Sequence, residues 1–127
     1  MEPRANNLEA IITRLEELRK SLVSHIVEGD ASSILDELSS KLSILALEYT
    51  SYTEELIGLA RRLKLLSTLA QALHNQWKHI HSRRVFGRVN YLDEHLGMVI
   101  FELRNIVEEV KSKKVIRRID IIKRIVF

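Results

Sequence analysis

The most constraining feature of this sequence is an uninterrupted heptad repeat of apolar residues. The spacing alternates between three and four residues from Leu35 to Ile80, and we call these fourteen positions the heptad seam. The seam consists of Leu35, Leu38, Leu42, Leu45, Tyr49, Tyr52, Leu56, Leu59, Leu63, Leu66, Ala70, Leu73, Trp77 and Ile80. A 3.5-residue repeat places such positions along one side of an α-helix, as in a coiled coil, and that side must be buried against other helices.

The first helix is predicted at about residues 6–28, because Asn6 suits a helix start and Gly29 suits a helix end. The seam then predicts one long helix at about residues 32–81, roughly 70 Å in length. Ser51 and Glu54 match a capping box, so a break near residues 50–53 is the alternative. We favour the continuous helix, because two helices joined by a turn have no need to share one phase.

A third helix is predicted at about residues 88–112, followed by a basic amphipathic segment at 113–127. The last segment has helical spacing but many β-branched residues, so helix and short strand both stay open. The predicted fold class is therefore all-α: one domain, residues 1–127, forming an elongated bundle of three to four helices.

Composition narrows the class of protein further. Cysteine is absent and proline occurs once, which excludes disulfides and thiolate chemistry and argues against a β-sandwich. No apolar run has the length of a membrane span and the first residues do not resemble a signal peptide, so we expect a soluble, cytoplasmic protein. The scarcity of glutamine is compatible with a thermophilic source.

The charge is distributed unevenly along the chain. Residues 1–55 hold 5 Lys/Arg and 11 Asp/Glu, whereas residues 56–127 hold 15 and 6. Such asymmetry indicates an electrostatic partner, which could be nucleic acid, an anionic surface or the acidic half of a neighbouring copy.

The basic residues of the second half are the predicted nucleic-acid contacts, because neutralising phosphates dominates affinity for DNA or RNA. These candidates are Arg61, Arg62, Lys64, Lys78, Arg83, Arg84, Arg88, Lys113, Lys114, Arg117, Arg118, Lys123 and Arg124. A solvated helix face is the competing interpretation of the basic tail, and an anionic membrane surface is a less favoured partner.

The histidines were considered as metal ligands. His74, His79 and His81 lack the i, i+3 or i, i+4 spacing that would bring them to one helical face. His25 and Glu28 have a usable spacing, but a single histidine in a core position is more often hydrogen-bonded than metal-bound. We therefore predict no metal and no cofactor. His74 is expected to be exposed, and Trp77 to belong to the core rather than to stack on bases.

One catalytic alternative comes from residues 88–95, Arg-Val-Asn-Tyr-Leu-Asp-Glu-His. This segment resembles the Arg-x(4–6)-His pattern of the HEPN superfamily, which comprises small, helical, dimerising ribonucleases. The resemblance implies that Arg88 and His95 act on RNA phosphate without a metal. The polar residue that usually follows the arginine in that family is replaced here by Val89.

Association is the firmest functional expectation. A first helix of roughly 35 Å cannot cover a 70 Å seam, so we expect a homo-oligomer or a subunit of a helical complex. The predicted function is a non-enzymatic assembly protein that contacts nucleic acid through its basic C-terminal half, such as a nucleoprotein, a virion component or a small subunit of a nucleic-acid-processing complex. The alternatives are the HEPN-like ribonuclease and a pure protein–protein adaptor. No small-molecule substrate is implied.

Overall fold

The computed structural model describes the backbone of residues 5–77 and 83–126 and the side chains of residues 5–77 and 86–112. Within these residues the chain is α-helical and contains no strand, which confirms the all-α class. The described residues form five α-helices rather than three or four. They are α1 (Asn6–Lys20), α2 (Leu22–Glu28), α3 (Ala31–Glu48), α4 (Thr53–Trp77) and α5 (Arg83–Val126).

The predicted first helix is divided at Ser21 into α1 and α2. Ser21 leaves the helical conformation, with φ −121° and ψ 37°, and its hydroxyl donates a hydrogen bond to the carbonyl of Glu17 (3.2 Å). A hydroxyl that bonds back to the preceding turn often bends a helix. Helix α2 ends as predicted at Gly29, whose φ of 87° is left-handed and whose N–H donates to the carbonyl of His25.

The single long helix favoured from the sequence is wrong, because the chain turns back between α3 and α4. Helix α3 ends at Glu48, and a 3₁₀ turn at Thr50–Tyr52 leads into α4. The hydroxyl of Thr53 closes this turn by donating to the carbonyl of Ala46 across 2.7 Å. The alternative that the sequence left open, a break near residues 50–53, is therefore the one that the structure has.

Helices α3 and α4 pack as an antiparallel hairpin. The hydroxyl of Ser39 donates to the carbonyl of Ala60 (2.7 Å), and nearer the open end Ser67 donates to the carbonyl of Ser32 (2.9 Å). The heptad seam consequently packs against itself and the rest of one core. Twelve of its members, from Leu35 to Leu73, are buried. Trp77 is partly buried against the core, as expected, and Ile80 lies outside the described residues.

The other helices complete an up-down-up-down bundle with short connections. Helix α1 packs on α3 and α5, and α4 packs on the same two helices. Helix α5 runs antiparallel to α1, since Arg19 pairs with Asp93 near its start and Glu9 pairs with Lys111 further along. It also runs antiparallel to α4, as the contacts Arg62–Glu102 and Gln76–Arg88 show.

Helix α5 corrects the predicted start of the third helix and selects one of the two alternatives left open for the segment after it. It begins at Arg83 rather than near residue 88, and its backbone remains helical through the segment 113–126, where a strand was the alternative. The predicted helix at 88–112 and the basic segment after it are thus one element of 44 residues.

In the part of the chain that the structure describes, none of these helices carries an apolar stretch that could cross a bilayer.

The hairpin predicts that two leucines of α3 differ sharply in how much they contribute to the free energy of unfolding. Leu42→Ala removes a side chain that is 0% exposed and should lower the free energy of unfolding by about 2–5 kcal/mol. Leu47→Ala, on the same helix but 73% exposed, should change it by no more than about 0.5 kcal/mol. Urea denaturation followed by circular dichroism measures both values. Equal losses of stability in the two variants would contradict the burial of the heptad seam between helices of the same chain.

Candidate functional site

The predicted cations of α4 lie on different sides of that helix. The guanidinium of Arg62 donates to Glu102 of α5 (2.8 Å), whereas the ammonium of Lys64 donates to Asp36 of α3 (2.9 Å). Arg61 is exposed. The structure thus does not bring Arg62 and Lys64 together, and each already has an acidic partner within the chain.

The ion pair between Lys64 and Asp36 has a titration signature. The hydrogen bond from Lys64 lowers the pKa of the Asp36 carboxyl below its ordinary value, because it stabilises the ionised carboxylate. Both side chains of the pair are well exposed, so the contact contributes little to stability.

Many of the predicted contacts concern side chains outside the described residues. Lys78, His79 and His81 lie in the undescribed stretch 78–82. For eight others the structure describes only the backbone, which is helical in α5: Arg83, Arg84, Lys113, Lys114, Arg117, Arg118, Lys123 and Arg124. Their contact with nucleic acid stays a prediction.

The uneven charge of the two halves is partly matched within the chain. Two acids of α1 pair with cations of α5: Glu9 pairs with Lys111 (2.6 Å) and Glu16 pairs with Arg104. In the reverse sense, Arg19 of α1 donates to Asp93 of α5 (3.0 Å). Hence some of the asymmetry serves the packing of α1 on α5 and requires no external partner.

Arg88 and His95, the HEPN-like pair, lie on one side of α5 about 10 Å apart along its axis. Arg88 is exposed and donates to the side-chain oxygen of Gln76 (2.9 Å). The ring of His95 lies against that of Tyr91, with centroids 4.0 Å apart. The two candidate groups therefore share a surface, but each contacts a different neighbour.

His74 was expected to be exposed, and the structure overturns this expectation. Its ring is partly buried, and its Nδ1 lies 2.8 Å from the carbonyl oxygen of Ile26, to which it donates. A Cβ placed on Gly29 would lie 2.8 Å from this ring, so the close contact requires glycine there. This hydrogen bond connects α4 to the end of α2, so His74 has a structural role.

One group of potential metal ligands is present near the turn between α2 and α3. His25, Glu28 and Asp30 offer a nitrogen and two carboxylate oxygens that all lie within 4.8 Å of one another. His25 Nδ1 is already 2.9 Å from Asp30 Oδ1, as expected for a hydrogen-bonded histidine. Glu28 is exposed.

The feature that the sequence analysis missed is an apolar surface on the outer side of α5. Tyr91, Met98 and Phe101 are 52%, 53% and 65% exposed, and they recur with the spacing of a second heptad repeat. Leu65 of α4, 70% exposed, lies at the same level as Met98, because Arg62 stands opposite Glu102 in the antiparallel pair. We call Leu65, Tyr91, Met98 and Phe101 the outer stripe.

The sequence did contain a signal for the outer stripe. A run at spacings of three and four passes through Gly87, Tyr91, Glu94, Met98, Phe101, Asn105 and Glu108, offset from the buried residues of α5. Its polar members hide it from a search for apolar residues alone. Phe86 extends the apolar surface towards Trp77, with the rings edge to face at 6.0 Å.

Comparison with protein-family models, with curated proteins and with solved structures finds no match to this chain.

The Lys64–Asp36 pair predicts a change in titration. Lys64→Gln should raise the pKa of Asp36, because the largest cause of its depression is lost. In the wild type the pair stabilises the fold above the pKa of Asp36 in the unfolded chain, and this contribution is lost as the pH falls through the lower pKa of the folded state. Carboxyl-carbon NMR titration measures the shift.

Arg61→Gln is the matched control for this titration, because it removes a cation of the same helix that is not among the groups acting on Asp36. An Asp36 pKa that is the same in the wild type and in Lys64→Gln would show that the pair does not form in solution.

Proposed function

We propose that this chain is a non-enzymatic, cytoplasmic helical assembly protein that associates through the outer stripe and contacts nucleic acid through its basic C-terminal half. The observation that carries the proposal is the exposure of Leu65, Met98 and Phe101 on one side of the bundle. Exposed apolar side chains grouped on one side of a bundle are typical of protein interfaces, because their contact with water is unfavourable.

Association is expected through a different surface from the heptad seam, which the sequence suggested. The heptad seam is satisfied within the chain, so it gives no reason for a partner. The outer stripe takes its place, since none of the residues whose side chains the structure describes covers it. Aromatic residues and methionine are also enriched at the centres of interfaces, and arginine, such as Arg88 beside the stripe, is enriched there too.

In this proposal, the cations near the end of α5 make the nucleic-acid contact. Arg62 and Lys64 each already pair with an acid of the same chain, Glu102 and Asp36. Between Lys111 and Arg124, by contrast, seven cations accompany a single acid, Asp120. A helical segment of that charge can neutralise several phosphates at once.

The charge distribution predicts which cations control nucleic-acid binding. A variant with Lys113, Lys114, Arg117 and Arg118 all changed to Gln should bind more weakly, and each lost phosphate contact should reduce the salt slope by about 0.7–0.9. The double variant Arg62→Gln with Lys64→Gln is the control and should bind nearly as the wild type does. Fluorescence anisotropy with single- and double-stranded DNA and RNA over a salt series measures both.

The same assay separates the competing functions. Unchanged binding in the four-residue variant would remove the nucleic-acid part of the proposal, and no binding of the wild type at low salt would favour the protein–protein adaptor. The shared face of Arg88 and His95 supports the HEPN-like ribonuclease as the second candidate. It predicts RNA cleavage that persists with a chelator and disappears in His95→Ala.

A further inference from the structure

We propose that the partner that covers the outer stripe is a second copy of this chain, related by a two-fold axis near Met98, so that the two α5 helices run antiparallel. This inference rests on the association in the proposed function and specifies its partner. Two-fold pairing requires a surface that is complementary to itself, and the residues around Met98 meet this requirement.

The charges around the outer stripe favour the antiparallel arrangement. Arg88 lies ten residues before Met98, and Glu108 and Glu109 lie ten and eleven residues after it. All three are exposed, and among the described residues neither glutamate has an ion-pair partner. With the two-fold axis at Met98, Arg88 of one copy lies level with Glu108 of the other. The symmetry repeats this pairing at the opposite end of the interface. Parallel pairing would instead place arginine beside arginine and glutamate beside glutamate.

The acids of α4 strengthen the same pattern. Glu54 and Glu55 are exposed at the start of α4, which lies beside residues 109 and 110 of the antiparallel α5. Among the residues whose side chains the structure describes, one end of the face formed by α4 and α5 carries the acids Glu54, Glu55, Glu108 and Glu109, the middle is apolar, and the other end carries the cation Arg88. Complementary potentials of this kind fix the register of two partners.

The apolar middle also fits a two-fold axis. Met98 would meet its own counterpart, and Leu65 lies beside it on α4 at the same level. Phe101 would lie level with the ring of His95 from the other copy. Methionine packs well at such a position, because its side chain is flexible and adapts to an identical neighbour.

Two glycines on this face have no explanation within the chain. A Cβ on Gly58 or Gly87 would meet no atom within 4 Å, although glycine destabilises a helix interior relative to alanine. Gly58 lies towards the acidic end of the face and Gly87 towards the other end. Their lack of side chains permits a close approach of the second copy at both ends.

Because this sequence contains no cysteine, single introduced cysteines allow a direct test by disulfide mapping. Met98→Cys should form a covalent dimer on mild oxidation, since the axis brings the two residues together. Tyr91→Cys alone and Asn105→Cys alone should not, because each residue lies about 21 Å from its own counterpart along the helix axes. An oxidised mixture of these two variants, refolded together, should give the mixed dimer, because residue 91 then faces residue 105.

The outcomes of the disulfide experiment are distinct. If Tyr91→Cys and Asn105→Cys each cross-link to themselves at least as efficiently as they cross-link to one another, the dimer is parallel. That result would overturn the antiparallel arrangement. Failure of all three to cross-link, with a wild type that sediments as a dimer, would show that the copies associate through another surface. A wild type that sediments as a monomer at every concentration would overturn the second copy as the partner. The nucleic-acid part of the proposed function is tested separately by its own salt series.

A charge on the axis provides a second test. Met98→Asp should raise the dissociation constant of the dimer about 30-fold or more, as expected for disrupting a central interface residue. Leu47→Asp is the matched control, since it places the same charge at an exposed apolar position on α3. Sedimentation velocity measures association, and far-ultraviolet circular dichroism checks that both variants are folded. Equal dissociation constants for the two variants would contradict the proposal.

Discussion

The structure depends on the turn at Tyr49–Tyr52, where the heptad seam folds back on itself. Tyr49 and Tyr52 are 0% and 5% exposed, so the turn continues the core and does not end it. Because α3 and α4 then present their apolar sides to the same interior, the seam needs no second molecule. Helices α1, α2 and α5 cover the rest of that interior, and the outer side of α5 is left with the exposed apolar residues of the outer stripe.

A small set of polar contacts fixes how the helices meet. Ser39 and Ser67 donate to carbonyls across the hairpin, and His74 donates to the end of α2. Because a buried donor without an acceptor is costly, each contact disfavours a shifted register of the apolar surfaces. Exposed ion pairs join α1 to α5 at the edge of their contact. They account for part of the charge difference between the two halves of the chain. The cations of the C-terminal tail and the outer stripe are the surfaces that we propose for contact with other molecules.

Part of this fold could be predicted from the sequence. The apolar spacing correctly predicted helices and a buried seam, and Gly29 correctly predicted the end of α2. The turn was misjudged, because a turn that buries both tyrosines preserves the heptad phase just as a continuous helix does. His74 was misjudged because its acceptor, the carbonyl of Ile26, lies 48 residues earlier in the chain. The outer stripe was missed because Glu94, Asn105 and Glu108 share its spacing.

The folding back of the seam is tested most directly by a distance between spin labels at Ser33 and Thr68, two exposed positions on α3 and α4. They flank the hydrogen-bonded pair Ser32 and Ser67, whose hydroxyl oxygens are 2.9 Å apart. Double electron–electron resonance on the doubly labelled chain, diluted with unlabelled protein, should give a distance below about 25 Å, since packed helix axes lie about 8–10 Å apart. A distance of about 50 Å, the length of 35 residues of continuous helix, would contradict the account.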